Sequence, residues 1–543
     1  MVVHSATTEF KHFIIYGQSL STGFQSYPAI STENIEGNYM VGDQVWTNFG
    51  NTNLSIFSPL ISKTANQDIN LQKTRISAIQ AECPIVGAVN HIQSKLSNYG
   101  NILASSCGYG GKTIEQLSKE STQLINYYND YTKTINNVAK IAKGYDYHIT
   151  CPALVWMQGE YNYVKDSERG IAPGLANCIS KDEYKRLFLK LKNNMQGDLM
   201  AVYSQGSRPF FITYQVGAQF TNGKTLEIGM AQIEAANEND DIICAGPVYQ
   251  LPDRGGHLDP NGYRWYGEMI GKAYLSTITT GAKFKPLQPL EIARTNISNT
   301  IRIKFLVPKL PLVLDVNTIY KMPDYGFVVY LNDVKQVITS ISIDNNCVNL
   351  MCQNPLIGKV EVVYAGVDIG NRNGHGNLRD SDDTPALYTY IDLDAKNNQG
   401  DFIYPRDLNE TTLRPVLETK DEQGMIYGKP YPLYNFCVAF YYKLDANQQL
   451  FIVPHLTTGM SKCFSSDNHI RVNLSKDILS LTTFLKGNIK LEIFSVSGSL
   501  IKIFEDRNNE EYFKQQYNLV LPGGLYFARV SVDDELFVQK IVL

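Results

Sequence analysis

Through roughly its first 280 residues the chain alternates two kinds of stretch, and that alternation leaves few folds open. Short β-branched or aromatic runs of strand length stand at Phe10–Gly17 (FKHFIIYG), Ala81–Val89 (AECPIVGAV), His148–Gly159 (HITCPALVWMQG), Arg208–Gly217 (RPFFITYQVG) and Asp241–Tyr249 (DIICAGPVY). Between them, Thr113–Lys143, Asp182–Gln196 and Leu226–Asn237 carry apolar residues at helical spacing. Strand, helix, strand, helix predicts a parallel sheet covered on both faces, an α/β three-layer domain. Its first strand ends abruptly in Gly17-Gln18-Ser19, which would deliver one hydroxyl to the carboxyl edge of the sheet, where open α/β sheets bind ligands.

Near Thr280 the texture changes. Proline-rich PLQPLEIART (286–295) is followed by NTIRIKFLVP, YGFVVYLND, VITSISID and KVEVVYAG, all strand-like, and helical periodicity fades. A final β-rich segment alternates strands with turn residues. The expected organisation is therefore multidomain: an α/β three-layer, flavodoxin-like domain over 1–283, an all-β sandwich-like domain over 284–455, and a small all-β sandwich-like domain over 456–543.

A net charge of -4 over 543 residues gives no electrostatic footprint for nucleic acid. No apolar run approaches the ~20 residues that span a bilayer. Nine Cys without zinc-type spacing imply no disulfide framework, and Cys347 and Cys352 are expected as buried or free thiols. No HExxH or EF-hand loop occurs, and Ser106–Thr113 misses the phosphate-binding loop pattern because Ser stands where its first Gly belongs. Asp380-Ser-Asp-Asp383 reads as a solvated acidic turn rather than a Ca²⁺ site, with His375 as an exposed loop residue beside it. No metal or organic cofactor is expected.

Three further stretches give Ser19 chemical company. Cys107–Thr113 (CGYGGKT) sets a glycine-rich turn before a helix, where backbone N–H groups can face an anion. Val155–Glu160 (VWMQGE) ends a strand in a side-chain amide, Gln158. Asp253 and His257 stand four residues apart just before another helical stretch. A serine hydroxyl is a poor nucleophile until a neutral imidazole takes its proton, and the imidazole needs an acceptor to hold its tautomer. The resulting oxyanion needs preorganised donors.

On these residues, positions 10–275 resemble an SGNH hydrolase of the sialate O-acetylesterase-like branch. Gly17-Gln18-Ser19 resembles the first block of that family, Gly110–Thr113 the second, Trp156–Glu160 the third (WxQGE), and His257-Leu258 with Gly262–Trp265 the last. The resemblance implies Ser19 as nucleophile, His257 as base, Asp253 as its orienter, the Ser19 and Gly111 N–H groups with the Gln158 amide as oxyanion donors, and Gln18 and Glu160 as substrate contacts. One departure stands out: the family's Asp lies three residues before the His, where this chain has Arg254. The implied activity is removal of O-acetyl groups from a carbohydrate such as a surface or capsular polysaccharide. The competing expectation is a catalytically degenerate glycan-binding or structural fibre protein.

Residues 288–443 resemble the β domain that follows this esterase in bacterial and phage surface proteins, on Phe305–Asp315, Gly376–Ser381 and Leu433–Phe436. Arg379 and Asp380 are expected to pair and lock that loop. The last segment resembles the C-terminal sorting domain of type IX secretion cargo in Bacteroidetes, on Ile493–Gly498, Pro522–Val530 and Val538–Leu543. With no signal peptide legible at Met1–Phe13, the resemblances together imply a virion protein of a phage, acting outside the cell. A secreted or surface enzyme is the alternative. Partners would be the O-acetylated carbohydrate and either a second copy of the chain or other virion proteins.

Overall fold

The structure is a computed structural model. It describes residues 8–542 apart from 66–78, 97–98, 123–124, 164–178, 218–222, 254–255, 370–373, 394–397, 401–429, 457–469 and short breaks at 476–477, 484–485, 496–499, 511–512, 524 and 534. Arg254, residues 370–373 ahead of His375, and residues 496–498, 524 and 543 of the C-terminal resemblance thus lie outside the described residues.

The N-terminal region is built on an eight-stranded sheet: β1 Glu9–Gly17, β2 Asn38–Val41, β3 Phe57–Pro59, β4 Asn101–Ser106, β5 His148–Thr150, β6 Ala153–Met157, β7 Phe210–Gln215 and β8 Ile242–Pro247. The helices are α1 Ser19–Thr22, α2 Pro84–Lys95, α3 Ile114–Leu117, α4 Tyr128–Gly144, α5 Lys181–Tyr203, α6 Glu227–Glu238 and α7 Pro260–Thr280. Strands run in the order β3-β2-β4-β1-β6-β7-β8, parallel except for β3, with β5 pairing the start of β1. Its central run β4-β1-β6-β7-β8 is the 2-1-3-4-5 order of doubly wound sheets, and the direction of winding reverses at β1. Buried on both faces, the strands are near-continuous apolar runs, as Ile14, Ile15, Tyr16, Leu154, Val155, Trp156, Phe211 and Ile212 show.

Two sequence expectations need correction. Ala81–Val89 is no strand: Pro84 opens α2, its fixed φ suiting the first helical position, and the β-branched run is simply a helix buried all round. The strand beside β1 is β4, Asn-Ile-Leu-Ala-Ser-Ser, whose small polar end hid it. Nor does Thr113–Lys143 form one helix. Thr113 and Gln116 close a capping box on α3, Ser118 turns extended (ψ 153°), and helix resumes only at Tyr128, whose N–H is taken by the Asn126 side chain.

By internal packing the chain divides into two compact units. One comprises residues 1–274 and 285–455, so it holds the α/β sheet together with antiparallel sheets of five strands (order 338–344, 347–352, 300–306, 288–294, 450–452) and four strands (334–335, 327–331, 360–364, 440–444). The other comprises 275–284 and 456–543. It has antiparallel sheets of three and four strands around Leu479, Leu481, Leu491, Ile493, Ala528 and Val530. No described helix is long and apolar enough to cross a membrane.

Candidate active site

Everything at the site hangs on how β1 ends. Gly17 has φ 149°, and a Cβ there would sit 2.1 Å from the Met157 carbonyl oxygen, so only glycine lets β1 pass this close to β6. Gln18 N–H then donates to Met157 O at 2.8 Å, and Ser19 begins α1. As a first-turn residue, Ser19 offers a backbone N–H without an intrahelical acceptor.

The loop Gly108–Gly111 folds over this turn. Tyr109 N–H donates to Gly17 O at 2.9 Å, and a Cβ on Gly110 would stand 3.7 Å from the Ser19 Cβ. Gly111, at φ 65°, lies instead against the Tyr161 ring. Gly110 is therefore the glycine that borders Ser19, and the Gly110–Gly111 peptide runs between Ser19 and Tyr161.

His257 arrives from the loop before α7. Its Nε2 lies 2.7 Å from Ser19 Oγ across 238 residues of sequence, and its ring packs edge-on to Phe24 with centroids 5.0 Å apart. Asp253 pairs with Leu258 in a β-bridge and Asp259 N–H donates to Pro252 O, so the two ends of the loop that carries His257 are tied together beside the imidazole. Asp253 Oδ1 accepts from Gly256 N–H at 3.3 Å; among the described residues no hydrogen bond joins Asp253 to the imidazole. Burial pushes the His257 pKa down to about 4, so at neutral pH the ring is uncharged and its Nε2 can accept a proton. Asp259 was not foreseen. Its carboxylate accepts from Gly262 N–H at 2.8 Å and caps α7, and Asp-Pro followed by Asn-Gly is a helix-start signal legible in sequence.

The structure does not place Gln158 as an oxyanion donor. Its Nε2 donates to Lys112 O (3.2 Å) and Asn162 Oδ1 (2.6 Å), while its Oε1 accepts from Tyr184 OH (2.8 Å). This orientation is forced, because Asn162 Nδ2 donates to the Glu115 carboxylate and so must turn its oxygen to Gln158. Gln158 is a fully buried brace between the two loops. Gln18 behaves differently. Its Oε1 accepts from Gly159 N–H (3.2 Å) and Tyr161 N–H (3.1 Å), which fixes the amide plane; its Nε2 has no hydrogen-bond partner among the described residues and is not sealed from solvent. Glu160 is buried and accepts from Tyr214 OH, and burial raises its pKa to about 7, so it stands behind the site and not at its surface.

Elsewhere, several histidines and acids sit differently from expectation. Asp380 is wholly buried, held by Asn435 and by backbone N–H groups of Lys309 and Asp382, so it is no solvated turn. Arg379 pairs with Asp315, touches only the carbonyl of Asp380, and stacks on Tyr434 at 3.6 Å. His375 is buried against Tyr249. His91, which has no acid near it in sequence, meets Glu268 at 3.0 Å. The seven described free cysteines, Cys347 and Cys352 among them, are buried, and no group of three or more described His, Cys, Asp and Glu residues could hold a metal.

No protein-family model and no curated protein matches the chain. Solved structures do. A carbohydrate acetylesterase from Xanthomonas citri aligns at 12% identity over 68% of this chain and 77% of that one, with a TM-score of 0.44. A protein from Arabidopsis thaliana aligns at 16% identity over 50% of this chain and 98% of that one (TM-score 0.34). A family two carbohydrate esterase from Clostridium thermocellum, solved with cellohexaose, aligns at 8% over 51% and 67% (TM-score 0.27). They assign no family.

Proposed function

We propose that this protein is a serine esterase of the SGNH type that removes O-acetyl groups from a carbohydrate. The observation that supports it most is the 2.7 Å contact between Ser19 Oγ and His257 Nε2 at the carboxyl edge of the sheet, beside the strand where the winding reverses. In this reading His257 takes the Ser19 proton as Oγ bonds to the acetyl carbonyl carbon. The tetrahedral oxyanion is held by the Ser19 N–H and the Gly110–Gly111 peptide. Collapse breaks the bond to the sugar oxygen, which leaves with the proton from His257. A water activated by the same imidazole then releases acetate and restores Ser19. Asp253 would orient the ring through its loop.

Release of p-nitrophenol from its acetate ester tests the reading. Ser19→Ala and His257→Ala should each lower kcat by about 10³-fold or more with thermal melts unchanged. Equal turnover by wild type and Ser19→Ala would leave a binding protein. The expected placement on a virion or cell surface belongs to the same proposal, and detection of the chain in purified virions or in culture supernatant would test it.

A further inference from the structure

The loop that folds over Ser19 carries a cluster that the chemistry above does not use. Tyr109, next to the glycine that borders Ser19, is 41% exposed. Its centroid lies 4.4 Å from that of half-buried Tyr127, tilted by 48°. Lys112 follows Gly111, and its Nζ stands 5.5 Å from the Tyr109 centroid and 4.9 Å from that of Tyr127. No carboxylate of the described residues lies within ion-pair distance of this ammonium. Asp130, whose charge acts on Tyr127, is paired with Lys133 at 3.7 Å, and Glu115 accepts from Asn162. The Lys112 carbonyl is meanwhile pinned by Gln158, so the residue that carries the charge is fixed at its backbone.

Two aromatic faces hold the cation in place without neutralising it. An exposed ring offers a platform for the C–H face of a sugar, and a cation without an acid partner among the described residues is set to accept one from a ligand. We propose that Tyr109, Tyr127 and Lys112 form a subsite for a carboxylate-bearing sugar, so that the acetylated glycan is an acidic one of the uronate class. The inference rests on the esterase reading for its place beside Ser19, but it makes a binding claim that stands apart from turnover.

Titration calorimetry on the full-length Ser19→Ala chain, with trigalacturonate and xylotriose as probes, decides it. Trigalacturonate should bind roughly five- to tenfold tighter at low salt, and the advantage should vanish above about 0.5 M NaCl, where the Debye length is well below its ~8 Å at physiological ionic strength. Lys112→Gln should abolish the advantage and Lys112→Arg should keep it, each variant being checked by thermal melt. Equal binding of the two probes, or an acidic preference that survives in Lys112→Gln, overturns the proposal. Wild-type turnover of p-nitrophenyl acetate, measured in parallel, tells whether the esterase reading has failed instead.

Discussion

At the scale of single residues, the two glutamines of the site divide the work in a way their positions in sequence do not reveal. Gln158 has both amide hydrogens committed, whereas Gln18 keeps Nε2 available next to Ser19. If that free Nε2 adds a donor to the Ser19 N–H and the Gly110–Gly111 peptide, Gln18→Glu exposes it, since a carboxylate still accepts from Gly159 and Tyr161 N–H but donates nothing and sets a negative charge beside the oxyanion. The expected outcome is a fall in kcat of about 10²-fold with little change in KM. Turnover within threefold of wild type would reduce Gln18 to a loop tether. His257 gives a second expectation. A base must be neutral, and burial holds its pKa near 4, so activity is lost as pH falls through that value and not through the ordinary 6.5. The acid limb of a kcat/KM profile against p-nitrophenyl acetate should therefore lie well below pH 6. Over the same range the unfolded chain binds a proton that the native ring refuses, so His257 subtracts stability below pH 6.5. The residue types at the site were legible from sequence because serine chemistry demands them. Which glutamine faces the crevice was not, because that depends on Asn162 and Glu115, which fix an amide orientation across loops far apart in the chain.

At the scale of elements, α7 positions His257, and α7 is held by close approach to α2. A Cβ on Gly87 would come 2.1 Å from Arg264 O, and one on Gly267 would come 2.1 Å from Pro84 O. Both clashes are with backbone and cannot be relieved by a rotamer change. Gly267→Ala should cost about 1–3 kcal/mol through forced separation of the helices, read as a lowered midpoint in urea, and should lower esterase turnover by moving the loop before α7. An unchanged midpoint would mean that the helix pair yields freely. The helical contact also explains the misread strand. Ala81–Val89 looks like a sheet segment because it is apolar on every side, yet what surrounds it is α7 and the sheet, not two neighbouring strands. Periodicity cannot separate a helix buried all round from a buried strand, and the proline at its first turn was the better signal.

At the scale of the whole molecule, the change of sequence texture near residue 280 marks a change of secondary structure inside one compact unit. Side chains of the α/β region are completed by the β region throughout. Gln215 exchanges hydrogen bonds with Ala439 in both directions, Asn261 does the same with Ile391, and Trp265 stacks on Tyr431 at 4.5 Å while donating to Tyr388 O. Lys272, nearly buried, rests on Asp382, Asn435 and Leu433 O, and burial lowers its pKa against that support. Removing the β region would expose the aromatic surface of Trp265 and Tyr249 to water, at about 1.5–3 kcal/mol for each large apolar side chain, and would give the Gln215, Asn261 and Lys272 contacts over to water, at about 0.5–1.5 kcal/mol net for each hydrogen bond lost. Together these losses are comparable with the ~5–15 kcal/mol by which a domain is stable. A chain ending at residue 283 is therefore expected to be insoluble or unfolded by circular dichroism and inactive toward p-nitrophenyl acetate, while one ending at His455 should keep the turnover of the full chain. A soluble, active 1–283 fragment would show that the Ser19–His257 pair is held by the α/β sheet alone, and that the contacts crossing from the β region serve some other end.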